Sequence, residues 1–325
     1  MKPHLLALIP LSKPMHAALE TRYQMHVFEQ GLDSVDWQQA GIAEVEAVVT
    51  NGSNGFTAEA MTHVPKLKVI SAVGAGYENV DVAAATKNNI LVAHGPGTNS
   101  ASVAEHAIGF ALSLARGYGA LQQRLKAGEW AELRQSRPSF SGSRVGILGM
   151  GQIGHMIATR AQAFGAHIGY HTPNPKPDIA GPLSATYYPD VISLAQNSDF
   201  LFAACPGGPS TYHLLNMATF EAIGPKGYVI NVARGSVLKT ADLITALKQG
   251  TIAGAAVDVL EEEPVPPAEL LKELASLENL LITPHMSGRS PASVIAQRDV
   301  MVRNLEAGMT GKIPEYQVAA QRAPR

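Results

Sequence analysis

Short apolar runs alternate with segments of helical periodicity along nearly the whole chain, and this alternation restricts the fold more than any other feature. Gly, Pro or Asn bound each run, which is typical of the βα units that build parallel sheets. The runs predict strands at 4–10, 47–50, 69–73, 90–94, 145–148, 166–171, 200–205, 228–233, 252–259 and 280–284. The sequence therefore predicts an α/β protein with a small sheet before residue 100 and a larger sheet after residue 144.

The stretch 95–104 has the composition of a linker that ends in a helix start. Ser102 and Glu105 have the spacing of a capping box, and the apolar residues from Val103 to Leu114 trace one helical face. We therefore predict a long helix here that bridges two domains. Further helices are expected over 152–164 and 292–307, and Gly165 and Gly250 stand where a helix would end in left-handed backbone.

Length and composition narrow the class of protein. A chain of 325 residues has room for two domains of roughly 100 to 200 residues each. With 25 Lys and Arg against 27 Asp and Glu, the net charge of −2 provides no field for a polyanion, so we expect no nucleic-acid partner. Cys205 is the only cysteine, which excludes an intramolecular disulfide and fits a reducing compartment.

The apolar run at 5–9 is shorter than the core of a signal peptide, and we interpret it as a buried strand. No window approaches the roughly 18 to 20 continuous apolar residues that cross a bilayer. We expect a cytoplasmic protein with no membrane partner.

A glycine-rich turn, Gly149-Met-Gly-Gln-Ile-Gly154, follows one predicted strand and opens the next predicted helix. In a dinucleotide site the first glycine permits the turn and the second lets the backbone approach the pyrophosphate. The third allows the helix to pack on the strand, and the helix N-terminus faces the negative charge. The context favours a cofactor site over the alternative of a structural turn.

The loop after the next predicted strand bears on which nicotinamide cofactor is bound. A carboxylate there would grip the ribose 2′-hydroxyl, but residues 170–177 contain none. Thr172, Asn174 and Lys176 instead offer donors and one positive charge to a 2′-phosphate, although His171 and Lys176 are equally compatible with a solvated loop. The sequence favours NADP(H), with NAD(H) as the alternative.

His167 and His171 are four residues apart, which on a helix would suggest a metal pair. They fall in a predicted strand, where four residues span about 13 Å at roughly 3.3 Å each, too far to share one ion. We predict no metal.

A second glycine-rich turn, Val73-Gly-Ala-Gly-Tyr77, links a strand to a helix but has Asn79 where a third glycine would be. Its backbone N–H groups could form a small nest for a carboxylate. An ordinary βα turn has the same spacing, so both interpretations stay open at this point.

Three polar residues follow predicted parallel strands. Arg234 comes after the strand at 228–233, Glu263 after the strand at 252–259, and His285 after the strand at 280–284. Singly, each is more often a surface or turn residue. Together they place an acid, a base and a cation at the carboxyl ends of strands, where open α/β sheets bind ligands.

At these residues the chain resembles the D-isomer-specific 2-hydroxyacid dehydrogenases and, within them, the glyoxylate and hydroxypyruvate reductases. The similarity covers nearly the whole chain, and five motifs occur in family order. They are Val73-Gly-Ala-Gly-Tyr-Glu-Asn-Val-Asp81, Gly149 to Gly154, Asn231-Val-Ala-Arg-Gly-Ser236, Ala256-Val-Asp-Val-Leu-Glu-Glu-Glu-Pro264 and Thr283-Pro-His285.

The resemblance implies two doubly wound parallel-sheet domains. A Rossmann cofactor domain over 99–286 would be inserted into a flavodoxin-like substrate domain made of 1–98 plus 287–325, with the active site in the cleft between them. It also implies a homodimer built on the cofactor domain. Trp130 resembles a tryptophan that some glyoxylate reductases lend to the neighbouring subunit's pocket.

The resemblance further implies roles for single residues. His285 would be the acid/base with Glu263 as its partner, and Arg234 would bind the substrate and polarise its keto group. The turn formed by Val73, Gly74, Ala75 and Gly76 would hold the substrate carboxylate. The implied cofactor contacts are Gly149, Gly151, Gln152, Ile153, Gly154, His171, Thr172, Asn174, Lys176, Cys205, Pro206, Thr211, Val232, Ala233, Asp258, His285 and Gly288.

The function expected from these residues is NAD(P)H-dependent reduction of a small 2-keto acid to the D-2-hydroxy acid. An ionised Glu263 would favour the imidazolium form of His285, which supplies the proton while a nicotinamide supplies the hydride. The alternative is a non-catalytic NAD(P)-sensing binding protein of the same fold. A methyltransferase with S-adenosylmethionine in the glycine turn would leave Arg234, Glu263 and His285 unexplained.

Overall fold

The computed structural model describes residues 2–263 and 266–321. Pro264, the last residue of one motif quoted above, lies outside the described residues. The described residues fall into two compact units, the first drawn from Met1–Asn99 and Arg289–Arg325 and the second from Ser100–Gly288. The boundaries proposed from the sequence, 98/99 and 286/287, stand one and two residues away from these. The second unit is thus an insertion in the chain of the first.

The strands are short, and those at the centre of each sheet are mostly buried. They are β1 (His4–Ala7), β2 (Gln24–Val27), β3 (Val45–Thr50), β4 (Val69–Ala72), β5 (Leu91–Ala93), β6 (Arg144–Leu148), β7 (His167–His171), β8 (Thr186–Tyr187), β9 (Phe200–Ala203), β10 (Tyr228–Asn231), β11 (Gly254–Val257) and β12 (Leu280–Ile282).

Helices occupy much of the chain between the strands. They are α1 (Lys13–Glu20), α2 (Ala58–Thr62), α3 (Val82–Lys87), α4 (Ser100–Arg116), α5 (Tyr118–Lys126), α6 (Gln152–Ala163), α7 (Pro177–Ala180), α8 (Val191–Gln196), α9 (Met217–Ile223), α10 (Thr240–Gln249), α11 (Ala268–Ala275) and α12 (Pro291–Met309).

Each unit contains one parallel sheet. The first has the strand order β2-β1-β3-β4-β5, the doubly wound arrangement of flavodoxin-like folds. The second has the order β12-β11-β10-β9-β6-β7-β8, in which β6 lies between β7 and β9, so the strand order reverses there. This is the dinucleotide-binding arrangement, whose ligand crevice lies at the point of reversal. The predicted fold class, two doubly wound parallel sheets, is confirmed.

Apolar side chains cover both faces of each sheet, which explains why the strands are continuous apolar runs rather than alternating ones. In the second unit, one face packs Phe200, Phe202 and Tyr170 against α4 and α6, and the other packs Leu201 and Val229 against α8 to α10. In the first unit, α1 and α12 cover the face that carries Val49 and Val69, among others.

The ten strands predicted from apolar runs are present, and the structure adds two more. β2 exposes two of its four residues and β8 has only two residues, so neither produces an apolar run. Both lie at a sheet edge. Gly165 and Gly250 have φ of +75° and +69°, the predicted left-handed backbone at the ends of α6 and α10.

The start of the long helix α4 differs from the prediction. It begins at Ser100, so Ser102 and Glu105 lie inside the helix rather than at its cap. The helix belongs wholly to the second unit, where it packs on α6 and on the β10 and β11 strands. The sequence predicted a helix that bridges two domains, whereas all residues of α4 belong to the second unit. Its buried stripe, which includes Val103, Ala107 and Ala111, contributes to the core of the second sheet.

Among the described residues, no helix has the length and apolar character needed to span a membrane.

Candidate active site

The carboxyl ends of three adjacent strands place three polar residues at one edge of the second sheet. β10, β11 and β12 are neighbours and run parallel. Arg234 follows β10, Glu263 follows β11 and His285 follows β12. Because parallel strands end at the same edge, the three predicted residues emerge on the same side of the sheet.

His285 and Glu263 form a direct hydrogen bond, with Nδ1 of the imidazole 2.5 Å from Oε2 of the carboxylate. The other carboxylate oxygen, Oε1, accepts a hydrogen bond from the backbone N–H of Leu260 at 2.9 Å. The Glu263 side chain is 20% exposed and the His285 side chain 44%. The carboxylate is therefore fixed from both sides, while the imidazole stays accessible to a ligand.

The loop that carries His285 is held by the buried carboxylate of Asp258, at the end of β11. Its Oδ1 accepts from the Thr283 hydroxyl at 2.5 Å and from the Met286 N–H at 2.9 Å, and its Oδ2 accepts from the Ser287 N–H at 2.9 Å. The backbone of His285 has φ +48°, a conformation that non-glycine residues adopt at a cost. Asp258 stabilises this turn and so fixes the direction of the imidazole.

His106 of α4 joins the hydrogen-bond network of Asp258 and Thr283. Its Nε2 lies 3.0 Å from the Thr283 hydroxyl oxygen. Because that hydroxyl already donates its proton to Asp258, it accepts from His106, whose Nε2 must carry a hydrogen. The His106 ring packs edge-on against Phe110, with centroids 4.3 Å apart. Sequence reasoning missed His106, since nothing in its local sequence links it to a residue 177 positions away.

Arg234 lies in a turn that the Asn231 side chain closes. Asn231 Oδ1 accepts from the Ala233 N–H, and Asn231 Nδ2 donates to the Arg234 carbonyl, both at 3.0 Å. Gly235 follows, and a Cβ there would lie 1.9 Å from the carbonyl oxygen of Leu260. Only glycine allows this approach. The Arg234 turn therefore packs directly on the segment whose N–H holds Glu263.

The glycine-rich turn after β6 has three glycines with different surroundings. Gly149 has φ +100°, and a Cβ there would lie 2.7 Å from Cys205 Cα. A Cβ at Gly154 would lie 2.0 Å from the Gly149 carbonyl oxygen, whereas a Cβ at Gly151 would meet no protein atom within 4 Å. The first and third glycines thus allow close packing, and the second leaves open space at the start of α6, as a pyrophosphate site requires.

Residues at the end of β7 lie beside this turn. The His171 carbonyl accepts from the Gly149 N–H at 2.9 Å, and His171 Nδ1 lies 2.9 Å from the Tyr188 carbonyl. Since a carbonyl only accepts, Nδ1 of His171 carries the hydrogen and Nε2 is left for another partner. The exposed Lys176 ammonium lies 3.4 Å from the Met150 carbonyl, within the glycine turn itself.

Thr172, a predicted donor to the cofactor, makes a hydrogen bond within its own loop. The side chain is buried and donates to the Asn174 carbonyl at 2.6 Å, so its proton stabilises the loop. Asn174 is exposed, and its carbonyl is occupied by this bond.

The other predicted cofactor residues follow β9 and β10. Burial raises the pKa of the Cys205 thiol to about 11, which keeps it protonated at neutral pH. The Thr211 hydroxyl donates to the Pro206 carbonyl at 2.8 Å and so fixes the loop after Cys205. Val232 and Ala233 are buried directly after β10.

Three further predicted cofactor residues lie elsewhere in the second unit. Gln152 and Ile153 open α6, and Gly288 ends the unit.

The second glycine turn lies in the first unit, after β4. Gly74 has φ +86°, and its carbonyl accepts from the Gly95 N–H at 2.6 Å. Within the described part of the chain, the N–H groups of Gly74, Ala75 and Gly76 donate to no backbone carbonyl. Val73, by contrast, donates to the Thr50 carbonyl and extends the strand pairing. The three free N–H groups suit an anion.

The fold and this edge of the second sheet define a nicotinamide-dependent dehydrogenase. Residues 108–287 match the family model of the D-isomer specific 2-hydroxyacid dehydrogenase, NAD binding domain. The chain belongs to the D-isomer specific 2-hydroxyacid dehydrogenase family.

Several named relatives are similar over most of their length. Glyoxylate/hydroxypyruvate reductase A of Arabidopsis thaliana is 35% identical over 308 residues, which cover 94% of this chain and 96% of the relative. Hydroxyphenylpyruvate reductase of Plectranthus scutellarioides is 33% identical over 94% of this chain and 96% of the relative.

The fold is shared with a crystal structure of the NADPH-dependent glyoxylate/hydroxypyruvate reductase of Sinorhizobium meliloti in complex with NADP and malonate. That chain is 32% identical and has a TM-score of 0.87, with 100% of this chain and 99% of that chain covered.

Proposed function

We propose that the protein reduces a small 2-keto acid of the glyoxylate or hydroxypyruvate class to the D-2-hydroxy acid with NAD(P)H. The observation that carries this proposal is the 2.5 Å hydrogen bond between His285 Nδ1 and Glu263 Oε2. With Nδ1 engaged, Nε2 is the nitrogen that exchanges a proton with the substrate. In the proposed reduction, Nε2–H of the protonated imidazole donates a proton to the developing alkoxide.

Arg234 provides the fixed positive charge of the site. A guanidinium stays charged at any physiological pH, so it stabilises the oxyanion that forms when the keto group is reduced. Its planar donors also suit a carboxylate. The N–H groups of Gly74, Ala75 and Gly76 are the proposed second set of donors to the substrate carboxylate, with Val73 anchoring that turn.

The glycine turn after β6 fits a dinucleotide. The space at Gly151 and the N-terminus of α6 provide room and N–H groups for a pyrophosphate. When bound, the nicotinamide supplies the hydride for C2 of the substrate. Cys205, Pro206, Thr211, Val232 and Ala233 are the proposed lining of the cofactor site. Asp258 is proposed to contact the carboxamide, in addition to holding the His285 loop.

NADP(H) is the proposed cofactor, with NAD(H) as the alternative. The loop after β7 contains no carboxylate that would repel a 2′-phosphate, and the Lys176 ammonium lies at the glycine turn. His171 Nε2 and the Asn174 side chain are the other proposed partners. The Sinorhizobium relative is described as NADPH-dependent, which supports this choice.

The proposed assembly is a homodimer formed by the second unit. Helix α5 has no buried residue, and Tyr118, Leu125 and Trp130 of this region are 56%, 40% and 70% exposed. Apolar side chains of this size are usual at protein interfaces. The same proposal places Trp130 at the active site of the neighbouring subunit. Location in the cytoplasm stays a prediction from the sequence.

The experiment that tests the activity is a substrate panel. Purified protein is mixed with NADPH or NADH and with glyoxylate, hydroxypyruvate, phenylpyruvate or hydroxyphenylpyruvate, and the fall in cofactor absorbance is recorded. We expect oxidation of NADPH with at least one of these acids, and the D-enantiomer where the product is chiral. Binding of NADPH without its oxidation in the presence of any of these acids would instead favour the non-catalytic sensor. A sensor would have no need of the hydrogen-bonded pair of His285 and Glu263.

A further inference from the structure

A second histidine and glutamate pair lies at the same edge of the second sheet. His213 Nε2 is 2.5 Å from Glu261 Oε1, and the two side chains are 21% and 27% exposed. His213 has φ +52°, close to the +48° of His285. Both histidines are non-glycine residues with positive φ, and each is hydrogen-bonded to a glutamate of the loop after β11. Such a backbone conformation persists only where the surrounding contacts hold it, so contacts fix both histidines.

The Glu261 carboxylate joins three successive loops. Its Oε1 binds His213, in the loop after β9, and its Oε2 accepts from the Thr240 N–H at 2.7 Å, at the start of α10. Glu261 itself belongs to the loop after β11. The His213 backbone adds to this link, because its N–H donates to the Ser236 carbonyl at 2.9 Å.

Two of these loops, those after β10 and β11, contain Arg234 and Glu263 of the proposed reaction. Ser236 lies two residues after Arg234, in the same turn. Leu260 is adjacent to Glu261, and its N–H binds the Glu263 carboxylate at 2.9 Å. Gly235 packs on the Leu260 carbonyl, where a Cβ would lie only 1.9 Å away. A shift of Glu261 would therefore move both the Arg234 turn and the Glu263 side chain.

We propose that His213 and Glu261 form a positioning pair, which sets the place of Arg234 and the orientation of Glu263 toward His285. This inference rests on the proposed function, and neither member of the pair is assigned contact with substrate or cofactor.

The charge of Glu261 is consistent with this task. Burial raises the pKa of its carboxyl, but hydrogen bonds from Thr240 and His213 outweigh burial and hold the pKa below its ordinary value. The carboxylate therefore stays ionised at neutral pH and keeps both bonds. Asp242 is the other acid near His213, and it is paired with Lys239 at 3.0 Å.

The test compares Glu261→Ala with Glu261→Gln in the full-length protein. A glutamine keeps an oxygen for the Thr240 N–H and an amide for the His213 ring, so we expect kcat within about threefold of the wild-type value, as for a retained neutral hydrogen bond. An alanine loses both bonds, and we expect kcat to fall about 10- to 100-fold because the reacting groups are misplaced. Recovery of kcat in Glu261→Gln would show that the two hydrogen bonds of residue 261, rather than its charge alone, position the reacting groups.

A matched pair elsewhere in the chain is the control. His16 and Glu20 lie 3.3 Å apart on α1, in the first unit, and both are about half exposed. Glu20→Ala should leave kcat unchanged. Equal losses of kcat in Glu261→Ala and Glu261→Gln would overturn the positioning role, and so would a wild-type kcat in Glu261→Ala.

A readout that does not depend on turnover separates this inference from the proposed function. In protein labelled with ¹⁵N-histidine, the His285 Nδ1 signal should shift in Glu261→Ala and lie near the wild-type position in Glu261→Gln. An unshifted signal in Glu261→Ala would overturn the inference. Failure of the wild-type protein to oxidise NADPH would count against the proposed function instead, and the imidazole signal would still decide the role of the pair.

Discussion

The Asp258 carboxylate and the Thr283 hydroxyl, 2.5 Å apart, tie the end of β11 to the loop after β12. The bond lies within a buried network in which the same carboxylate accepts two backbone N–H groups of the His285 loop. The imidazole is thus positioned by residues that need not touch the substrate. This arrangement fixes the proposed acid/base, His285, while its side chain remains 44% exposed.

Thr283→Val should therefore reduce both stability and turnover. Removal of the hydroxyl leaves the buried Asp258 oxygen with one donor fewer, and the His106 N–H without its acceptor, at a cost of about 1–3 kcal/mol in the free energy of unfolding. Urea unfolding and kcat are the measurements. Thr283→Ser keeps the hydroxyl and is the control. Equal behaviour of the Val and Ser variants would contradict this account of the loop.

Gly151→Ala should weaken cofactor binding without changing stability. The added methyl meets no protein atom within 4 Å, and Gly151 has φ −86°, which alanine adopts freely. The methyl would instead occupy the space proposed for the pyrophosphate, so we expect the Kd for NADPH to rise about tenfold or more. Fluorescence titration and thermal unfolding measure the two effects.

Two other glycines provide the comparison. Gly154→Ala places a Cβ 2.0 Å from the Gly149 carbonyl oxygen, so it should lower the unfolding free energy by about 1–3 kcal/mol. Gly109 is exposed within α4 with open space around it, so Gly109→Ala should stabilise the protein by about 0.5–1 kcal/mol. An unchanged Kd in Gly151→Ala would argue against the pyrophosphate position.

Lys176→Gln should reduce the preference for NADPH. The Lys176 ammonium lies at the glycine turn, in the loop proposed to hold the 2′-phosphate, and loss of one charge-assisted hydrogen bond corresponds to about a tenfold rise in KM for NADPH. The KM for NADH should change little, because NADH has no 2′-phosphate. Equal changes for both cofactors would place Lys176 at the shared pyrophosphate instead.

His26 should make the first unit sensitive to acid. Burial, and secondarily the nearby His4, hold the pKa of His26 below its ordinary value of 6.5. Its Nε2 lies 3.0 Å from His4 Nδ1. The unfolded chain binds this proton more readily than the folded protein does. The contribution of His26 to the free energy of unfolding is therefore complete above its ordinary pKa, and it falls as the pH drops from about 6.5 toward the folded pKa. Urea midpoints measured from about pH 7.5 to about pH 5 should decline, and the decline should be shallower in His26→Gln. If the urea midpoint of His26→Gln fell with pH as steeply as that of the wild type, His26 would not be the source of the acid sensitivity.

Some of the fold and the site follows from local sequence, and the reason is physical. A strand buried on both faces is a continuous apolar run, so β4, β6 and β9 are visible in the sequence, whereas the half-exposed edge strand Gln24–Val27 is not. His285 and Glu263 were expected because each follows such a strand, and parallel strands end at one edge. Their hydrogen bond shows that the edge brings them together.

The supporting contacts could not be predicted in this way. His106 and Thr283 are 177 residues apart, and the Glu261 side chain reaches His213 across 48 residues. Hydrogen bonds between distant segments leave no periodic signal. The hydrogen bond from the Thr172 hydroxyl to the Asn174 carbonyl in its own loop likewise leaves no sequence signal.

Single-turnover hydride transfer tests the central claim most directly. NADPH bound to the wild-type protein and to His285→Asn is mixed rapidly with the best keto acid of the panel, and the loss of cofactor absorbance is followed. We predict a rate lower by roughly 100-fold or more in His285→Asn, with a nearly unchanged Kd for NADPH, as expected for loss of a general acid. Equal rates in the two proteins would contradict the assignment of His285 as the proton donor.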